Sequence, residues 1–400
     1  MNFSNVTIVN VHFIHGTNKL SVGRLALKDR KIFFEYDPEF IKTDLQLSPF
    51  KLPLKPNVQV GDNTIFDGLF GVFNDSLPDG WGHLLLDRKL MQLGINPGQL
   101  SPLDRLRYVG SSGMGALIYE PEIKDDAFLH NKDLDEIANE TLQFQENHDV
   151  EFVDDLLARN GSSSGVRPKI VVSVNNEDWL IKFRATTDPK DISAIEYAYH
   201  LMAKDAGLIV PRAKLFPSKK GLGYFGVKRF DRYEEGRLHI HTISGLLHTS
   251  HHLPNLDYEI IMRTTALLTR DTRECEKQFR AAVFNVLSHN RDDHAKNFSF
   301  VMDTQGIWNL SPAYDLTFSS GPAGEHSSTI MGEGKNPKLA HLLRLAEVAS
   351  MQQKKALQII EEVKSAVSKW KIFAKTAGVT SASCEMIQKA INRIGKDMVT

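Results

Sequence analysis

The sequence predicts an α+β protein in which a small β-rich subdomain and a strand-rich lobe precede a mainly helical lobe. Three observations predict it. Up to about residue 60 the chain alternates apolar and polar residues in short runs, "VTIVNVHFI", "GRLALKD" and "KIFFEYD", parted by turn formers. Period-two alternation of that kind is the signature of a half-buried antiparallel sheet. A second set of strand-like runs, from "KIVVSV" to "RLHIHTI", occupies residues 169–243. Beyond about residue 240 the spacing is mainly helical, apart from one hairpin. A chain of 400 residues exceeds one typical core. The expected boundaries are 1–105, 106–235 and 236–400.

Taken in order, the elements have local causes. In "FGVFNDSLPDGWGHLLLDRKLMQLG" the Pro and Gly of "SLPDG" make a turn, and "GHLLLDRKLMQLG" reads as a helix ending near Gly94. "LSPLDRLRYVG" predicts a short helix and "MGALIYEP" a strand, while residues 131–159 carry helical spacing. The loop "NGSSSGVRPK" leads into "KIVVSV", an Asn-Asn turn and "WLIKF". A helix follows over residues 191–208, capped by Asp191 or Ser193 and ended by Gly207. "AKLFPS" and "GLGYFGVKRF" are strands, and "KRFDRYEEGR" reads as a short linker between the lobes. A cleft between two lobes is a common place for a ligand. The tail "KSAVSKWKIFAKTAG", residues 364–378, predicts an amphipathic helix with a solvated basic face.

Composition narrows the function classes. The residues are 42% hydrophobic and 24% charged, an ordinary globular balance. No apolar run reaches the roughly 18 residues of a membrane span. The first residues, "MNFSNVTIVNVHFIHG", lack the basic start and apolar core of a signal peptide. Two cysteines, Cys275 and Cys384, form no CxxC pair and no zinc set, so a reducing, cytoplasmic setting is expected. A net charge of −1 argues against general electrostatic binding of nucleic acid.

The chemistry concentrates in "NRDDHAKNFSFVMDTQGIWNLSPAYDLT". The polar cluster precedes a hairpin of "FSFVM", "DTQG" and "IWNLSP", after which comes Asp315. Such a hairpin returns Asp315 toward Asp292 and Asn297. Phosphoryl transfer needs a carboxylate to orient and deprotonate a hydroxyl, and oxygen ligands for Mg²⁺ on the phosphates. Protein-kinase catalytic loops space the two as D-x-x-x-x-N, and Asp292 and Asn297 stand five residues apart. Asp315 follows Asn297 by 18 residues as the second metal ligand. Asp293 fits the spacing less well and reads as supporting structure. Lys296 can meet a phosphate or neutralise the loop. His294 suits a structural role or a phosphate contact better than a base. No second His/Asp cluster completes a metallohydrolase site.

Lys182 sits between Ile181 and Phe183 on an apolar strand. Burying it demands an anionic partner. In this setting it reads as the strand lysine that holds ATP α- and β-phosphates, with Glu196 as its candidate ion-pair partner; the bland alternative is an edge-strand lysine facing water. The loop around Ser164 and Gly165 can present backbone N–H groups to phosphate but is no Walker A sequence.

These segments, "SSSGVRPK", "WLIKF", "IEYAYHLMAKDAGL", "VKRFDR", "NRDDHAKNFSF", "LSPAYDLT" and "GEHSSTIMGEGKNP", together resemble the HipA family of serine/threonine-protein kinase toxins. "FNDSLPDGWG" resembles the end of that family's N-terminal subdomain. The resemblance implies a two-lobed kinase-like fold and ATP with Mg²⁺ as cofactors. It implies Asp292 as catalytic aspartate, Asn297 and Asp315 as metal ligands, and Lys182 as the ATP-phosphate lysine. His294 matches a contact near the phosphates, and Phe230 in "VKRFDR" the interlobe hinge near adenine. Lys228 stands where some members carry an acid, which leaves backbone contacts to adenine there. Ser162, Ser163 and Ser164 lie where some members autophosphorylate a serine, and the three are equivalent by sequence.

The family phosphorylates aminoacyl-tRNA synthetases, glutamyl-tRNA synthetase first among them. It is neutralised by a helix-turn-helix antitoxin, HipB, through which it also reaches operator DNA. A phosphate on the serine loop, adding about −1.5 to −2 charges, is expected to compete with ATP for Lys182 and switch the enzyme off. Two other functions fit parts of the pattern: a small-molecule kinase on the same scaffold, and a catalytically dead partner-binding co-repressor.

Overall fold

The computed structural model describes residues 5–123, 133–146, 156, 167–234, 236–250 and 255–397. Its contacts divide the chain into two compact units. The first holds Met1–Asp188, Lys228–His248 and Val301–Ile307; the second holds Pro189–Val227, Thr249–Phe300 and Trp308–Thr400.

In the first unit the alternating runs form strands β1 (Ile8–His15), β2 (Asn18–Lys28) and β3 (Lys31–Tyr36). With β4 (Gln59–Val60) and β5 (Leu117–Glu120) they make an antiparallel sheet of order β4-β3-β2-β1-β5. Val9, Val11 and Phe13 alternate along β1 and are buried, as the period of two requires. The β1–β2 register shifts between Val11 and His12, a bulge beside Gly23. Any Cβ at Gly23 would lie 2.1 Å from the Glu35 carbonyl oxygen, so only glycine permits this strand spacing. The helix Gly80–Gln92 ends before Gly94, whose φ is 73°. The helix Pro102–Val109 opens with a capping box between Ser101 and Asp104. Within residues 131–159 the structure shows the helix Leu134–Glu146.

Strands β6 (Lys169–Val174) and β7 (Glu177–Lys182) form an antiparallel hairpin. Asn175 and Asn176 turn it with φ of 53° and 60°, the left-handed pair that asparagine tolerates. The register sets Lys169 opposite Lys182, and both are buried. Residues 161–166, with Ser162, Ser163, Ser164 and Gly165, lie outside the described residues.

The segment read as a linker is pinned down. The Asp231 carboxylate, fully buried, accepts from Arg229 Nε at 3.0 Å and Nη2 at 2.7 Å, from Arg232 Nη1 at 2.5 Å, and from the Gly115 N–H at 2.8 Å. Both arginines also donate to the Gly113 carbonyl, at 3.0 and 2.6 Å. Burial alone would raise the Asp231 pKa, but the two guanidiniums hold it below the ordinary value.

The second unit is built on helices α1 (Ile192–Asp205), α2 (Tyr258–Thr269), α3 (Thr272–Leu287) and α4 (Ser381–Asp397). Asp191 begins α1, yet its carboxylate makes no cap to that helix. It accepts instead from the Thr380 N–H at 2.9 Å, the Thr380 hydroxyl at 2.8 Å and the Ser383 hydroxyl at 3.0 Å, which pins the segment leading into α4. Tyr199 lies between Phe284 and Trp370, with ring centroids 6.5 and 5.3 Å away. The tail differs from the single predicted helix: residues 364–378 divide into helices ending at Ser368 and starting at Trp370. Trp370 is fully buried against Tyr199 and donates its indole N–H to the Cys384 carbonyl at 3.1 Å. Burying that ring breaks the continuous amphipathic face.

Candidate active site

Helix α3 delivers the motif. It is capped at Ser288, whose carbonyl accepts the Tyr199 hydroxyl at 2.6 Å. His289 then turns left-handed at φ 59°, and the chain runs without regular structure to a short 3₁₀ turn at Ala295–Asn297. The hairpin strands follow at Ser299–Met302 and Trp308–Leu310. The Ser311 N–H donates to the Ser299 carbonyl at 3.0 Å, and the two hydroxyls bond at 2.8 Å. Asp303 and Ile307 close the turn at 3.1 Å.

The adjacent aspartates have opposite environments. Asp292 is exposed, its side chain 52% accessible, with His294 Nε2 at 4.0 Å. Asp293 is buried and fully engaged. It accepts the Tyr258 hydroxyl at 2.9 Å, His326 Nδ1–H at 2.7 Å, and the Ser327 and Ser328 N–H groups at 2.8 and 3.3 Å. Asn285 continues the chain, donating to the Tyr258 hydroxyl at 2.9 Å and accepting from Asn290 at 2.9 Å. Asp293 therefore anchors the loop, while the Asp292 side chain is exposed. Burial and the neighbouring Asp293 charge raise the Tyr258 pKa well above its ordinary value.

Asn297 donates its side-chain amide to the Asp292 carbonyl at 2.6 Å, which fixes the five-residue spacing in space and leaves the amide oxygen free of that bond. The Tyr314 hydroxyl donates to the Lys296 carbonyl at 2.6 Å, so the segment bearing Asp315 lies against the loop. Asp315 is half-buried at φ 57°. Aspartate is among the few non-glycine residues that tolerate this left-handed region. Asn297 and Asp315 are hard oxygen donors, and Mg²⁺ takes few protein ligands and fills its shell with waters and phosphate oxygens. Both residues are of the donor type that this ion takes. Lys296 is buried and His294 half-buried. His294 Nδ1 accepts the Lys296 N–H at 3.3 Å, capping the 3₁₀ turn. Lys182, buried, and Phe230, half-buried, belong to the first unit; Glu196, buried, belongs to the second.

Sequence reasoning missed the residues that hold the loop. Tyr258, His326 and Ser328 lie more than 30 positions from Asp293 and carry no spacing signal. It also missed a second constellation, in the first unit. The Ser48 hydroxyl and His241 Nε2 bond at 2.9 Å, and His241 Nδ1 meets the Asp75 carboxylate at 2.6 Å. This is the connectivity of a Ser-His-Asp triad. Ser48 and His241 are 1% and 0% exposed, so no acyl group reaches the hydroxyl. Asp75 also accepts the Thr242 N–H and hydroxyl, each at 2.7 Å. The constellation is an internal fastening.

A family model for the HipA-like C-terminal domain matches residues 161–370, more than half of the chain, and one for the HipA N-terminal domain matches 16–120. The chain belongs to the HipA family. A chain of the solved Shewanella oneidensis MR-1 complex of HipA, HipB and operator DNA has the same fold, with TM-score 0.68 and 17% identity. That match covers 96% of this chain and 99% of that one. Two curated relatives come from Sinorhizobium fredii. "Putative kinase Y4dM" is 24% identical over 208 residues, 48% of this chain and 50% of its own length. "Putative kinase Y4mE" is 28% identical over 176 residues, 40% of this chain and 36% of its own. The match thus spans half or less of each curated relative. No described helix is long and apolar enough to cross a membrane.

Proposed function

We propose that this HipA-family protein is an ATP- and Mg²⁺-dependent protein serine/threonine kinase that acts as a toxin. The carrying observation is the Asp292–Asn297 pair: an exposed carboxylate on a loop whose own carbonyl is gripped by the asparagine five residues on. In this reading Asp292 orients the acceptor hydroxyl and takes its proton. Asn297 and Asp315 hold the metal. Lys182 holds the α- and β-phosphates, with His294, Lys296 and the Ser164–Gly165 backbone as further phosphate contacts, and Phe230 marks the adenine hinge. Mg²⁺, when bound, neutralises charge on the transferred phosphoryl group.

The finer assignments rest on family resemblance. The substrate is an aminoacyl-tRNA synthetase, glutamyl-tRNA synthetase first. A HipB-like antitoxin binds the protein and carries it to operator DNA; the Shewanella neighbour is described in complex with HipB and its operator. Phosphate on Ser162, Ser163 or Ser164 switches the enzyme off by competing for Lys182, and undiminished ATP affinity after stoichiometric loop phosphorylation would refute that switch.

The deciding experiment incubates the protein with Mg²⁺ and labelled ATP in cell lysate, beside Asp292→Asn. Asp292-dependent label on one protein supports the reading. Label confined to metabolites makes the protein a small-molecule kinase, and no Asp292-dependent label makes it a binding module.

A further inference from the structure

Within the second unit, behind the loop that carries Asp292, lies a cavity of about 50 Å³. One ordered water needs ~10–15 Å³, so the space holds a group of several heavy atoms. Five basic residues line it, His289, Arg291, His326, Lys335 and Arg393, and among the described residues no acid does. They come from separate places. His289 and Arg291 flank Asn290 after α3, His326 and Lys335 bracket the strand Ser328–Thr329, and Arg393 belongs to α4.

Arg291 is buried, 9% exposed, and so is His326, 2% exposed. The Arg291 Nη1 donates to the Gly324 carbonyl and its Nη2 to the Lys335 carbonyl, the latter at 2.8 Å. A guanidinium has five N–H donors in a planar fork, so these two bonds hold it and leave donors over. Its Nε is buried and makes no hydrogen bond among the described residues. Burial lowers the Arg291 pKa, Arg393 lowers it further, and the nearby Asp293 and Glu325 offset part of this. Burial likewise lowers His289, with Arg291 and His326 adding to the effect against the bond to the Ser319 carbonyl. Asp293 is occupied by its own four donors. The lining therefore carries positive charge that its neighbours only partly balance.

We infer that this cavity is a binding site for a phosphate group, held by Arg291, Lys335 and Arg393. A planar guanidinium with spare donors matches phosphate oxygens, and a dianion relieves the repulsion between Arg291 and Arg393. Occupancy would tie α4 to the loop that presents Asp292. The phosphate can be free or borne on a phosphorylated side chain, and the shared chemistry is the same.

The test titrates the full chain with sodium phosphate by calorimetry, without nucleotide or Mg²⁺, against sodium chloride at equal ionic strength. O-phosphoserine is a second ligand. Lys335→Ala and Arg393→Ala change exposed side chains and should leave the fold intact, while Lys182→Ala reports on the separate nucleotide site. Saturable binding is expected, about tenfold weaker in Lys335→Ala and Arg393→Ala and unchanged in Lys182→Ala. Tighter binding of O-phosphoserine supports a phosphorylated side chain as ligand; binding of phosphate alone supports the free ion. Non-saturable binding, undiminished binding in both variants, or loss in Lys182→Ala alone overturns the proposal.

Discussion

The loop at 291–297 and the Ser48–His241–Asp75 cluster use the same vocabulary of residues to opposite ends. In the first-unit cluster every polar group is consumed: serine to histidine, histidine to aspartate, aspartate to Thr242. Nothing is left to act on another molecule. In the second-unit loop the consumption is divided. Asp293 takes four donors and disappears from solvent, and Asp292 next to it keeps a 52% accessible side chain. One residue of position separates a buried carboxylate from an exposed one.

Replacing Asp292 with Asn breaks the comparison most severely. The expected loss in ATP-dependent phosphotransfer is about 10²–10⁴-fold, with the melting temperature unmoved because the side chain is exposed. Radiolabel transfer and a thermal melt together check this. Asp293→Ala should do the reverse, since it strands Tyr258, His326 and two backbone N–H groups. Breaking a buried, hydrogen-bonded charge costs about 3–5 kcal/mol, a fall in melting temperature on the order of 10 °C, read by calorimetry.

The buried histidines of the first unit sharpen the contrast through pH. Burial, with His241 nearby, pushes the His239 pKa down to about 3, although its ring bonds the Leu47 carbonyl at 2.9 Å. The unfolded chain binds this proton near pH 6.5. Between these values the unfolded state holds more protons, so stability falls as pH drops from about 6.5 toward 3. His239→Gln keeps a donor for Leu47 and should flatten that slope, measured by denaturant midpoints across the interval. An unchanged slope would mean that another group carries it. The smallest effect is expected from Tyr258→Phe. It removes one donor to Asp293 and one acceptor for Asn285, about 1–3 kcal/mol, and phosphotransfer should persist wherever the protein is folded.

Local features were legible wherever a signal is local. The alternation in β1 and β3, the Asn175–Asn176 turn, the end of the helix at Gly94 and the Asp292–Asn297 spacing all follow from neighbours within a few residues. The predicted supporting role of Asp293 is likewise what the structure shows. Where reading faltered, a distant partner overrode the local preference. Asp191 begins α1 but spends its carboxylate on Thr380 and Ser383. The basic tail breaks at Lys369 because Trp370 is drawn under Tyr199. The linker "KRFDRYEEGR" looks solvent-borne by composition, yet Asp231 is buried between two arginines that also reach Gly113.

By itself the sequence determined which residue types stand at which spacing: an Asp and an Asn five apart, a hairpin, and an Asp beyond it. It also carried the ordered motifs that mark the HipA family. Only the tertiary structure decided which aspartate of the pair is spent, that a triad-like cluster is sealed, and that Arg291, Lys335 and Arg393 meet around one cavity. The reason is physical. Spacing is a property of the covalent chain, whereas exposure and electrostatic environment depend on atoms brought together from far along it, and a buried polar group takes whatever partner the packing supplies.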